Sequence, residues 1–177
     1  EEPDAKKASF GENLTREDWT SIAKVKDVYG DVLFTAPIVA ANVAHPLLMY
    51  MKDELNSKNR KFTFLCGHDS NIASVNAALG IEKYSLPNSI EKVTPIGSKV
   101  VYEVWTEKAT GKQYVAINLV YQSTDQLQQN SPLDLEHAPQ IYPLSLKGIE
   151  KNADGLYTFE SVDTRFEQAI NAYDDIK

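Results

Sequence analysis

A histidine and an aspartate stand side by side, His68-Asp69, directly after a short apolar run and directly before a helical pattern. Where a strand ends and a helix begins, free backbone N–H groups and the positive end of the helix dipole favour an anion. A histidine placed there can donate a hydrogen bond to a phosphate oxygen. A carboxylic acid placed there can give a proton to a departing alkoxide. The pair therefore indicates phosphate-ester chemistry.

Two plainer interpretations of the same residues stay open. Asp69 or Ser70 immediately before an apolar helix is typical of an N-cap, and His68 is then a chance neighbour. A His-Asp pair also suggests a metal site, but His45 and His137 lie far off in the sequence. No Cys/His spacing indicates zinc. We therefore expect neither a metal ion nor a cofactor.

Other reactive side chains fit structural roles better. His45 precedes Pro46 in an apolar helix, and His137 belongs to a polar loop. Cys66 lies in the apolar run, so we expect it to be buried and inert. Ser70 lacks the Gly-x-Ser-x-Gly turn that presents a serine nucleophile.

The elements that position the pair follow from the hydrophobic spacing. Residues 62–66 form a continuous apolar run, typical of a strand that is covered on both faces. The helix after Asp69 has Gly80 as its C-terminal stop. A strand end followed at once by a helix is where open α/β sheets bind ligands. We therefore expect the pair at the carboxyl edge of a sheet.

Two helices are predicted before this run. Thr15 and Asp18 resemble a capping box for a short amphipathic helix that ends near Gly30. Pro37 suits the first turn of a long apolar helix, and Pro46 inside it should kink or divide that helix.

The remainder of the chain predicts a hairpin and further short elements. These are a loop over 82–97, hairpin strands over 99–107 and 113–122, a short helix over 124–129, a strand over 140–146 and an amphipathic helix over 158–173. Helices around a buried strand, followed by a hairpin, indicate an α/β fold with a mixed sheet and flanking helices.

Composition narrows the class of protein. The 177 residues carry a net charge of −7, which opposes nucleic acid and anionic membranes as partners. No apolar run approaches the ~20 residues that span a bilayer. The first residues are charged and lack the apolar middle of a signal peptide. We expect residues 1–14 to be a polar arm or linker and residues 15–177 to form one domain.

The stretch "FLCGHDSNIASVNAALGI" resembles the C-terminal His-Asp signature of the histidine acid phosphatases. Four further segments resemble the glucose-1-phosphatase and phytase-like branch of that family in the same order, namely "DVLFTAPIVAANVAHPLLMYM" (31–51), "TPIGSKVVYEVW" (94–105), "VYQSTDQLQ" (120–128) and "NADGLYTFESV" (152–162). The resemblance covers nearly the whole chain from about residue 15. It implies a histidine-phosphatase-type α/β domain in a periplasmic or secreted enzyme.

The resemblance also implies a two-step hydrolysis of a small phosphate monoester, a sugar phosphate or an inositol phosphate. A nucleophilic histidine is phosphorylated, and water then releases phosphate. His68 would bind the phosphoryl group, and Asp69 would be the proton donor to the ester oxygen. Because Asp69 must carry a proton for that step, acid pH should favour turnover.

The most severe departure of the chain from the family concerns the nucleophile. The nucleophile motif Arg-His-Gly-x-Arg-x-Pro is absent, and the three arginines, Arg16, Arg60 and Arg165, do not neighbour a histidine. We therefore expect the C-terminal portion of a longer enzyme, inactive without its N-terminal portion and able to self-associate. The alternative is a non-catalytic anion-binding or interaction module that lacks the nucleophile.

Overall fold

The computed structural model describes residues 2, 4–130 and 132–176. Its helices are α1 (Ala5–Ala8), α2 (Arg16–Phe34), α3 (Pro37–Asn56), α4 (Asp69–Ala78), α5 (Thr124–Gln128) and α6 (Phe159–Asn171), and its strands are β1 (Lys99–Thr106), β2 (Gln113–Tyr121), β3 (Gln140–Pro143) and β4 (Tyr157–Thr158).

The sheet is built around β2, which pairs with β1 on one side and with β3 and β4 on the other. All of these pairs are antiparallel. In the hairpin, Tyr102 lies opposite Ile117 and Val104 opposite Val115, which places these side chains on one face of the sheet. The hairpin is as the sequence predicted, and Tyr102 and Val104 share a face as the alternating pattern predicted.

One core joins that face of the sheet to three helices. Its buried members include Leu48 of α3, Val75 of α4, Leu79 directly after α4, Val115, Ile117 and Leu119 of β2, Tyr157 of β4, and Val162 and Phe166 of α6. Helix α6 contributes a stripe at helical spacing, as the sequence predicted. The fold class, an α/β domain with a hairpin and flanking helices, is confirmed. The expected mixture of strand directions is not found, because every strand pair among the described residues is antiparallel.

The capping box of α2 is confirmed, whereas the predicted end of α2 near Gly30 is wrong and Pro46 does not divide α3. Helix α2 continues past Gly30 to Phe34, and α3 runs through Pro46 without a break. Ala44 and Leu48 flank Pro46 and are both buried in the core. Packing on either side of the proline therefore holds the helix together despite the lost backbone hydrogen bond.

The prediction of a covered strand over residues 62–66 is wrong. This segment joins no strand of the described sheet, and Phe62 and Phe64 are 82% and 62% exposed. Cys66, expected to be buried, is exposed as well. An apolar run indicates that a segment is stabilised by burial. A β-strand also needs a neighbouring backbone to pair with, and no other described segment supplies one here.

Smaller elements differ at their ends. The strand expected over 140–146 stops at Pro143, and the short strand β4 was not predicted. Within the described part of the chain no single helix is long and apolar enough to cross a membrane. Helices α2 and α3 meet that test of length and composition only as a pair bent by 79°.

Candidate active site at the start of helix α4

His68 and Asp69 lie at the N-terminus of α4, both exposed. His68 is the N-cap in an extended conformation, and Asp69 is the first helical residue. The His68 imidazole makes no capping hydrogen bond. Its ring nitrogens are therefore not committed to the backbone of this turn. The expected N-cap at Asp69 or Ser70 is one residue further along than the observed one.

The backbone of the turn is fixed by Asn71. Its Oδ1 atom accepts a 2.9 Å hydrogen bond from the His68 N–H. A Cβ atom on Gly67 would lie 2.9 Å from that same Oδ1 atom, which is closer than carbon and oxygen approach. Gly67 therefore lets Asn71 reach back to His68, and this explains why a glycine precedes the pair.

The Asp69 carboxylate has two different neighbours. Its Oδ1 atom accepts a 2.8 Å hydrogen bond from the Ser70 N–H. Its Oδ2 atom lies 3.2 Å from the Nζ atom of Lys26 on α2, and half of the Asp69 side chain is exposed. The carboxylate is thus accessible to a ligand while one oxygen is paired with an ammonium group.

Lys26 joins three parts of the fold. Besides Asp69, its Nζ atom lies 2.8 Å from Glu91 Oε1 and donates a 3.2 Å hydrogen bond to the carbonyl oxygen of Thr94. The other oxygen of Glu91 accepts a 3.1 Å hydrogen bond from the Ile96 N–H. We call Lys26, Asp69, Glu91 and Thr94 the Lys26 cluster. The sequence alone indicated neither Lys26 nor Glu91.

Burial and charge act in opposite directions on Lys26. Burial lowers its pKa, but the hydrogen bonds and negative charges of Glu91 and Asp69 outweigh burial and raise the pKa above its usual value. The next residue, Asp27, is affected the other way, because burial and then the charge of Glu91 raise its pKa. Lys26 therefore stays protonated at acid and neutral pH.

The other candidate residues lie apart from this cluster. The His45 ring stacks on Tyr173, with ring centres 4.2 Å apart. The Nδ1 atom of His137 lies 3.1 Å from Asp134 in an exposed loop. Cys66 is exposed two residues before His68. Among the residues that the structure describes, no group of three His, Cys, Asp or Glu side chains is arranged to hold a metal ion.

The three arginines are engaged elsewhere. Arg16 pairs with Asp125, and Arg60 pairs with Glu54. Arg165 donates to the carbonyl oxygens of Leu79 and Lys147. These three arginines therefore form no cluster at His68 and Asp69 that could hold a phosphoryl group.

An unusual amount of apolar side chain is exposed beside the site. Within the described residues we call this set the open apolar surface, and it comprises Ile22, Val25, Val28, Tyr29, Val32 and Leu33 of α2 with Phe62, Phe64 and Leu65 before the pair. Exposed apolar side chains in such number are unusual for a monomeric protein, so these two segments indicate an interface.

Comparison with known proteins defines the class as a phosphatase-type α/β protein. The chain belongs to the histidine phosphatase superfamily (branch 2), whose family model matches residues 7–121. That range includes His68 and Asp69.

Named relatives agree with the family. The chain is 39% identical over 160 residues to glucose-1-phosphatase of Providencia rettgeri, covering 88% of this chain and 38% of that protein. It is 27% identical over 174 residues to phytase AppA of Escherichia coli, covering 92% of this chain and 39% of that protein. The chain thus spans about two fifths of the length of these relatives.

Solved structures resemble the fold over the same range. The phytase from Citrobacter braakii superposes with a TM-score of 0.79 at 25% identity, over 88% of this chain and 42% of that one. Hafnia alvei phytase in complex with myo-inositol hexakis sulphate gives 0.77 at 27% identity, over 89% and 42%.

Proposed function

We propose that this chain supplies the His-Asp half of the active site of a phosphomonoesterase that works through a phosphohistidine intermediate. The observation that carries the proposal is the exposed His68-Asp69 pair at the start of α4, within the region that matches the family. His68 binds a phosphoryl oxygen, and Asp69 is the acid for the ester oxygen.

The reaction follows in two balanced steps. A histidine nitrogen outside residues 1–177 attacks phosphorus while the P–O ester bond breaks, and the leaving oxygen takes its proton from the Asp69 carboxylic acid. In the second step water attacks phosphorus, the P–N bond breaks, and the Asp69 carboxylate takes up a proton from that water. Proton donation matters most for a poor leaving group, which otherwise departs as a strong base.

The nucleophile and the arginines that hold the phosphoryl group belong to the remaining part of a longer enzyme. The share of the relatives that this chain spans supports this, as does the open apolar surface beside the site. We propose that this N-terminal part covers that surface, with residues 15–177 forming the C-terminal part of the domain and residues 1–14 an arm.

The substrate is a small phosphate monoester, a sugar phosphate or an inositol phosphate. The names of the relatives, a glucose-1-phosphatase and a phytase, support this range. A net charge of −7 disfavours nucleic acid and anionic membranes as partners. A periplasmic or secreted location is proposed from the resemblance.

The test begins with the gene upstream of Glu1. An in-frame Arg-His-Gly-x-Arg-x-Pro motif supports the enzyme, whereas a start codon at this point or an unrelated domain favours the non-catalytic anion-binding module. The longer polypeptide is then assayed with an alkyl phosphate and with p-nitrophenyl phosphate. Asp69→Asn should lower kcat for the alkyl ester by about 10²–10⁴-fold and for the nitrophenyl ester far less.

Asp154→Asn is the matched control, because Asp154 lies in the exposed turn before β4. It should leave both rates unchanged. Equal losses on both esters in the Asp69 variant would remove Asp69 from the role of proton donor.

A further inference from the structure

Three oxygen atoms, from Asp69, Glu91 and Thr94, surround the Nζ atom of Lys26. An ammonium group carries three N–H donors. The Asp69 carboxylate, the Glu91 carboxylate and the Thr94 carbonyl oxygen lie within 3.2 Å of the Nζ atom. Nζ thus donates hydrogen bonds to Glu91 and Thr94 and forms an ion pair with Asp69.

While both carboxylates are ionised, the charges of the cluster give Lys26 little net attraction for a phosphate. One ammonium stands between two carboxylates, so the cluster carries a net charge of −1 when both are ionised. A phosphate dianion gains nothing by approaching such a group directly. The same arrangement suits a clamp, because Glu91 and Thr94 hold the ammonium from the loop after α4 while Asp69 meets it from the start of α4.

The clamp acts on the Asp69 carboxylate, whose other contact lies within its own turn. Among the described residues, the one other contact of the Asp69 carboxylate is the hydrogen bond that Oδ1 accepts from the adjacent Ser70 N–H. Rotation about its side-chain bonds would carry Oδ2 away from any fixed position. Pairing with Lys26, which is anchored on a different helix, limits that rotation.

We propose that Lys26 is a positioning residue, which holds the Asp69 carboxyl group at the start of α4 and ties it to the loop that carries Glu91 and Thr94. This inference rests on the proposed function of Asp69 as proton donor. It assigns to α2 a part in the reaction that neither the family model nor the spacing of the sequence indicated.

The pair itself is tested without an assay of activity. In the 177-residue chain, NMR titration of the Lys26 side chain should show its pKa above the usual value for lysine, and both Asp69→Asn and Glu91→Gln should lower it. Asp154→Asn is the control and should not. A pKa of Lys26 that does not respond to Asp69→Asn would overturn the clamp.

The effect on the reaction is tested in the longer polypeptide. Lys26→Met should lower kcat for the alkyl phosphate by about 10- to 100-fold with KM nearly unchanged, since a misplaced catalytic group costs rate rather than binding. Turnover of p-nitrophenyl phosphate should change far less. Lys26→Arg should restore part of the rate. Lys24→Met on the same helix is the matched control, because Lys24 is exposed and lies outside the Lys26 cluster.

A double variant decides whether Lys26 acts through Asp69. Adding Lys26→Met to Asp69→Asn should cost no further rate on the alkyl ester. Additive losses, a rise in KM for both esters, or equal losses of kcat on both esters would each overturn the positioning role. If Lys26→Met does not fold by circular dichroism, Lys26→Gln is judged by the same outcomes. If the proposed function itself is wrong, Asp69→Asn alone affects both esters equally. That outcome distinguishes failure of the proposed function from failure of the positioning role.

Discussion

Arg165 of α6 donates a 2.8 Å hydrogen bond through Nη1 to the carbonyl oxygen of Leu79, 86 residues earlier in the chain. Its Nη2 atom donates a second 2.8 Å bond to the carbonyl oxygen of Lys147. Leu79 is the C-cap of α4, and His68 is its N-cap. One guanidinium group thus fixes the far end of the helix whose near end carries the candidate site.

Arg165→Met should destabilise the chain because it leaves two carbonyl groups without their charged donor. We expect the free energy of unfolding to fall by about 2 kcal/mol. Urea denaturation followed by circular dichroism measures it. Arg60→Met is the control, since the exposed Arg60–Glu54 pair should contribute at most about 1 kcal/mol. Equal losses in the two variants would show that the Arg165 contacts add nothing beyond an ordinary surface charge.

The guanidinium group of Arg165 also leaves little space for a side chain at Gly80. Its φ angle is +69°, and a Cβ atom there would lie 2.8 Å from Arg165 Nη1. Both the backbone conformation and the close approach therefore favour glycine at this position. The sequence predicted Gly80 as a helix stop from the first reason alone.

The Gly67–Asn71 contact predicts a non-additive pair of substitutions. Gly67→Ala should displace the Asn71 side chain, and Asn71→Ala removes it, so each should cost about 1 kcal/mol of stability through loss of the bond to the His68 N–H. The double variant should cost little more than either single one. Chemical denaturation of the three variants measures this. Fully additive losses would mean that Gly67 does not act through Asn71.

Local signals in the sequence predicted helices and strands of the fold, but they did not predict contacts between residues far apart in the sequence. The capping box at Thr15 and Asp18 and the strand β1 depend on neighbours within a few residues, and both predictions are confirmed. Whether residues 62–66 pair as a strand depends on a partner distant in the sequence. Hydrophobic periodicity carries no information about such a partner.

The same distinction between local signals and long-range contacts applies to the candidate site. His68 and Asp69 were found because they are adjacent and precede a helix. Lys26 reaches Asp69 across 43 positions through the packing of α2 on α4, and nothing in the spacing of the sequence indicates this. Asn71, three residues after His68, was within reach of sequence reasoning, because an amide at that position often bonds back to the N-cap backbone.

Alkaline pH should unfold the chain through its buried tyrosines. Burial raises the pKa of Tyr84 to about 12, and its hydroxyl donates to the carbonyl oxygen of Val93. Burial raises the pKa of Tyr102 as well. Because the folded state raises these pKa values above the ordinary value of about 10, the stability that they contribute is complete below about pH 10 and is lost between about pH 10 and 12. Denaturant midpoints measured from about pH 8 to 11.5 should therefore fall steeply above pH 10.

Two phenylalanine substitutions separate the contributions of these tyrosines. Tyr84→Phe should cost about 1 kcal/mol at neutral pH, through the lost bond to Val93, and should flatten the alkaline decline. Tyr102→Phe should cost less at neutral pH, since its buried hydroxyl has no hydrogen-bond partner among the described residues. An unchanged alkaline decline in both variants would place its origin in other groups, of which Lys26, with its raised pKa, is the next candidate.

The 177-residue chain alone should release no phosphate from p-nitrophenyl phosphate at about pH 4–6, where acid catalysis by a carboxyl group operates. The reason is that its arginines are engaged away from His68 and Asp69 and the nucleophile motif is absent. A colorimetric assay with and without a chelator checks the prediction. Turnover by the pure chain that survives the chelator would contradict the half-site proposal.

The open apolar surface predicts self-association of the isolated chain. Phe62, Phe64 and Leu65 are exposed by 82%, 62% and 42% on an extended segment whose backbone pairs with no described strand. Apolar side chains on an unpaired backbone favour pairing with a second copy. Size-exclusion chromatography with light scattering should show a mass that rises with concentration.

Phe62→Ser combined with Phe64→Ser should shift the chain toward the monomer, because it removes the largest apolar groups of that segment without touching the core. Leu135→Ser is the matched control, since Leu135 is fully exposed in the polar loop between α5 and β3 and is not one of the residues of this surface, and it should leave the association unchanged. If the double variant associates as strongly as the unmodified chain, the contact lies elsewhere. If the unmodified chain is monomeric at high concentration, the exposed segment alone is insufficient to drive pairing, which contradicts the prediction.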